Sequence, residues 1–162
     1  MALPFAAGSR VFASDLNTAT QQGAWTSYPV TWASSGTAPA KGSGGTLVGY
    51  YSKVGRNVTV KIMFNSGTGT TFGTGYYSWS LPFAAATTGI PTSQIAHCGT
   101  LVASTAGSAT FYTCAAFISQ GTPSNVNGLV NASGTFFGAA NPAAFSGTGV
   151  QFCITMTYES TS

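Results

Sequence analysis

The sequence predicts an all-β protein, an antiparallel jelly-roll-like β-sandwich preceded by a short N-terminal arm or helix. Three observations carry that expectation. β-Branched and aromatic residues alternate with small polar ones, the two-residue period of half-buried strands. Gly and Pro, 21 and 7 of the 162 residues, punctuate those runs where turns need them. Hydrophobic residues make up 44% of the chain, an ordinary globular share, so one domain with its own core is expected rather than a disordered chain.

The division is placed at 1–23 for an attachment arm and 24–162 for the head. Within the arm, residues 12–22 form the one plausible helix. Ser14 suits an N-cap and Asp15 the first turn, although the apolar face is thin. Phe12, Asp15, Leu16 and Asn17 are the candidate attachment residues. In the head, residues 27–32 read as one extended piece whose Pro29 suits an edge or a strand start. The clearest unit is a hairpin of residues 46–54 and 57–64 around a turn at Gly55-Arg56. Its second arm puts Val58, Val60, Ile62 and Phe64 on one face, with Thr59, Lys61 and Met63 on the other. Residues 76–81 read as a strand stopped by Pro82. Residues 95–104 and 110–119 read as two more, split by Ala106-Gly107-Ser108, and a short piece follows at 128–130. The last strand, 150–158, points Val150, Phe152, Ile154, Met156 and Tyr158 inward. About eight strands at such spacing imply a sandwich.

Charge narrows the range of functions. Five Lys and Arg stand against two Asp and Glu, a net +3, and no charged residue lies between Lys61 and Glu159. Lys41, Lys53, Arg56 and Lys61 share one region but not the dense runs of a nucleic-acid or anionic-membrane surface. No stretch approaches the ~20 apolar residues that span a bilayer. Neither nucleic acid nor a membrane is expected as a partner. The opening residues 1–8 lack a basic segment and a long apolar run, so assembly in a cytoplasm is expected. A chain this poor in charge is expected to associate.

Catalytic equipment is scarce. Asp15 and Glu159, at opposite ends of the chain, make a poor acid–base pair. His97 and Cys98 are neighbours on a predicted strand and therefore face opposite ways. The sequence holds no nucleophile elbow and no phosphate-binding glycine motif with its lysine. Cys98, Cys114 and Cys153 lie far apart, with no C-x-x-C pair, and are expected to be free, buried thiols. No enzyme, cofactor or metal site is expected. Trp79, Tyr76 and Tyr77 are the candidate exposed aromatics for gripping a glycan. Packing in the core or between subunits is the more ordinary use of such residues.

Three segments carry a resemblance to a known group: Trp25-Thr26-Ser27-Tyr28-Pro29-Val30-Thr31-Trp32, then Gly45-Thr46-Leu47-Val48-Gly49-Tyr50-Tyr51 running on through Val54-Gly55-Arg56-Asn57-Val58-Thr59-Val60, and Trp79-Ser80-Leu81-Pro82. From about residue 23 to 158 the chain resembles the small β-sandwich heads on virions of tailed bacteriophages. These occur as capsid decoration proteins and tail-fibre tips, with a trimeric fold like that of tumour necrosis factor. Residues 12–17 are similar to the short segment preceding such heads. The resemblance implies a homotrimer on the virion surface, bound to a major capsid protein or to a tail or baseplate protein. One compact head with a short arm and no shaft turns the expectation towards capsid decoration. The alternative is a receptor-binding head that recognises a host-surface glycan.

Overall fold

The computed structural model describes residues 23–91, 94–108, 110–130 and 134–162. Alternation of apolar and polar residues along antiparallel strands gives that part of the chain a single curled sheet. The described strands are β1 (Thr26–Tyr28), β2 (Trp32–Ser34), β3 (Thr46–Val54), β4 (Asn57–Asn65), β5 (Tyr77–Ser80), β6 (Ile95–Ser104), β7 (Phe111–Ser119), β8 (Asn125–Leu129) and β9 (Gln151–Glu159). Their order is β1-β3-β4-β9-β6-β7-β8-β5-β2. The sheet curls into a half-barrel, a β-sandwich of the jelly-roll-like kind expected. The helix expected over residues 12–22 lies outside the described residues.

The curl follows from where the large apolar side chains point. Register aligns Leu47, Phe64, Phe152 and Ala103 in one row and Gly49, Ile62, Ile154 and Leu101 in the next. Val58, Val60, Ile62 and Phe64 of β4 are all buried, as are Phe152, Ile154, Met156 and Tyr158 of β9. A single sheet cannot cover so much apolar surface unless it folds over on itself. Trp32 on the β2 edge accordingly packs 4.7 Å from Phe64 and 6.0 Å from Phe152, ring centroid to ring centroid. Tyr77, Trp79, Phe137 and Phe145 complete an aromatic core around Phe152.

Residues 27–32 depart from the expected single extended piece. β1 pairs with β3 at one edge of the sheet, while β2 pairs with β5 at the other. Pro29 has no N–H to offer a ladder, and the chain crosses between the two edges there. Ser80 N donates to Thr31 O (3.0 Å), and Thr31 N donates to Ser80 Oγ (2.8 Å). Tyr28 Oη donates to Ser80 O (3.2 Å), which ties β1 to β5 across the gap.

A second difference concerns β8, which starts at Asn125 and not at 128. Asn125 and Asn127 are poor strand formers and mask the segment in the sequence. Beside β8, residues 136–138 bridge to β5. Phe137 N donates to Gly128 O (2.8 Å), and Tyr77 N donates to Phe137 O (2.9 Å). Gly128 allows this, because a Cβ there would come within 2.6 Å of Phe137 Cβ. Neighbouring residues in these extended segments turn to opposite sides, so Tyr77 and Phe137 enter the core while Tyr76 and Phe136 emerge.

Candidate interaction surfaces

With the inner face filled, binding falls to the outer one. Across β3, β4, β9 and β6 the register places Val48, Met63, Cys153 and Val102 side by side. The adjacent row holds Thr46, Asn65, Gln151, Ser104 and, on β7, Phe111. Neither row contains an ionic side chain; Lys61 stands in the row beyond, between Tyr50 and Thr155. Val48 and Phe111 are 38% and 64% exposed. Between the two rows lies a shallow depression of about 440 Å³. Ser104 lines it, and its buried Oγ has no hydrogen-bond partner among the described residues.

A second depression, of about 420 Å³, lies on the outer face of β7, β8 and β5. Tyr76 (46% exposed) stacks on Phe136 (41% exposed) with centroids 4.9 Å apart at 32°. Phe117 of β7 supports Phe136 from below at 5.8 Å. Asn127, only 8% exposed, lies in the same row as Phe117 and Ser78. Its Nδ2 donates to Tyr77 O (3.0 Å), which orients the carboxamide.

The expected glycan set is corrected by this arrangement. Tyr76 is exposed, but Tyr77 and Trp79 are core residues, 0% and 1% exposed. Two residues apart on β5, they share the inner face, and Tyr77 Oη donates to Phe72 O (2.7 Å). Phe136 was not anticipated. Its sequence signal, a Phe pair between Gly134 and Gly138, marks a short extended segment but not its neighbour. Phe12, Asp15, Leu16 and Asn17 lie outside the described residues.

The reactive side chains are dispersed. His97 points inward, with Nε2 3.0 Å from Ala86 O; a carbonyl only accepts, so that nitrogen carries the proton. Cys98 points outward and is exposed, a departure from the expected buried thiol, whereas Cys114 is buried and Cys153 half-buried. Burial pushes the Cys114 thiol up, away from the reactive thiolate. Glu159 pairs with Arg56 (Nε–Oε1 3.1 Å) on the surface. Among the described residues, no three His, Cys, Asp or Glu side chains come together as metal ligands would. No described helix is long and apolar enough to cross a membrane.

Fold and surface together define an all-β domain whose outer sheet face carries two uncharged rows bordered by Lys61. No protein-family model matches the chain, and no curated protein or solved structure matches it either.

Proposed function

We propose that the chain is a non-enzymatic structural head that works by associating with copies of itself, as a homotrimer on the surface of a tailed-phage virion. Capsid decoration is its role in this reading. The observation that carries self-association is the row Val48, Met63, Cys153 and Val102, apolar over four strands, flanked on one side by a row with no ionic group and on the other by the row of Lys61. Such a stripe spans about 15 Å at ordinary strand spacing. Apolar area of this kind gains free energy when removed from water, and an uncharged flank adds little desolvation penalty. Against the virion the head would be held in the same way, by apolar contact more than by ion pairs.

The resemblance in the segments around Trp25, Tyr50 and Trp79 supports the virion setting. A receptor-binding head on a tail is the second reading, favoured by the exposed Tyr76–Phe136 stack. Electron microscopy of virions labelled through this protein separates the two. Label over the whole shell supports decoration, and label confined to the tail supports the receptor head. An adsorption assay with excess purified protein gives an independent answer: a decoration protein leaves adsorption unchanged, whereas a receptor head blocks it.

A further inference from the structure

We infer that the outer face of β7, β8 and β5 carries a subsite for a neutral sugar, built on the Tyr76–Phe136 stack. This is a different surface from the one invoked for self-association. Phe111 and Phe117 mark the two regions on β7, six residues and about 20 Å apart along the strand.

Three features point to the ligand class. Two aromatic rings in contact, with centroids 4.9 Å apart and planes tilted by 32°, both more than two-fifths exposed, present an apolar surface. A pyranose offers a matching apolar face of C–H bonds. Around the platform the side chains are amides and hydroxyls, from Asn125, Asn127 and Ser78, which both donate and accept as sugar hydroxyls do. None of the described residues lining the depression is charged, so none of them would neutralise a carboxylate, a phosphate or an ammonium group.

Asn127 distinguishes this depression from a bare apolar patch. Its side chain is more than nine-tenths buried among Phe117 and its neighbours, where an apolar residue would cost less. One amide hydrogen is held by Tyr77 O. No other hydrogen bond of the carboxamide is found among the described residues, so its oxygen and second hydrogen are placed to address a ligand in a fixed orientation. A concave site of about 420 Å³, mostly apolar with a few oriented polar groups, has the build of a small-ligand site.

The test is an array of immobilised neutral oligosaccharides of hexoses and N-acetylhexosamines, with sialylated and sulfated counterparts, probed with the purified full chain. The expected result is binding to neutral members over the anionic ones. Tyr76→Ala and Phe136→Ala should each weaken it by about tenfold or more, equivalent to 1.4 kcal/mol. Val54→Ser, at an exposed position that lines neither depression, should leave it unchanged. Native mass spectrometry and urea unfolding of the same samples read assembly and folding separately. Three outcomes overturn the inference: no neutral member binds, the anionic members are preferred, or both Ala variants bind as the parent does. Loss of the oligomer in the Tyr76 and Phe136 variants, with no glycan bound by the parent, would make the patch a contact between copies.

Discussion

Trp32 and Phe64 pack with ring centroids 4.7 Å apart, tilted by 53°, although β2 is the last strand of the sheet and β4 the third from its opposite end. That contact closes the curl. It also links the sequence pattern to the surface, because closing the inner face leaves the outer rows as the part of the sheet free to meet a partner. Trp32→Ala should therefore destabilise the fold by about 3–5 kcal/mol. Urea unfolding followed by tyrosine fluorescence or circular dichroism checks this. Trp32→Phe, which keeps a ring in place, should lose much less.

Close packing between strands makes a second expectation. A Cβ on Gly99 would lie 2.3 Å from Met156 Cβ and 2.5 Å from Thr155 O, and the latter belongs to backbone that has little room to move. Gly99→Ala should cost about 1–3 kcal/mol. At Gly121, on an exposed turn, a Cβ would meet nothing within 4 Å. Gly121→Ala should stay within about 0.5 kcal/mol of the parent. Equal urea midpoints for the two variants would contradict the register of β6 against β9.

High pH should loosen the fold through its buried tyrosines. Burial pushes Tyr158 up to about 12, and it raises Tyr28 and Tyr77 likewise, with Tyr158 adding to the effect on Tyr28. In the unfolded chain these phenols ionise near ~10. From about pH 10 to 12 the unfolded state thus holds fewer protons than the folded one, and stability falls as pH rises. Below that window the contribution is fully present. Tyr158→Phe should flatten the decline in unfolding free energy across the window. At neutral pH the same variant should cost about 1 kcal/mol for the hydrogen bond to Phe83 O.

Salt should matter little to folding. The ion pair found among the described residues joins Arg56 to Glu159, and both side chains are about half exposed. Raising sodium chloride to about 1 M shortens the screening length to ~3 Å, yet stability should shift by less than about 1 kcal/mol. Urea midpoints at low and high salt test this directly.

How far the sequence could be read depended on the length of each pattern. β4 and β9 hold their alternation over nine residues each, so their inner faces were readable from Val58 and Phe152 onward. β1 and β2 have three residues apiece, too few to show a period, and Pro29 alone did not reveal that they part to opposite edges. On β5 alternation separates Tyr76 from Tyr77 and Trp79, but nothing local says which side is the core. The outer rows are harder still. Val48, Met63, Cys153 and Val102 come from four strands spread over much of the chain, and only register makes them neighbours. Phe136 reaches Tyr76 only because residues 136–138 dock between β8 and β5.

Self-association through the outer face is most directly tested by native mass spectrometry at micromolar concentration, comparing the parent chain with Val102→Glu. The account predicts a trimer for the parent that persists in about 1 M salt, and a folded monomer for the variant, whose new charge sits at the β6 end of the apolar row. A parent chain that stays monomeric, or a Val102→Glu chain that trimerises as the parent does, would contradict it.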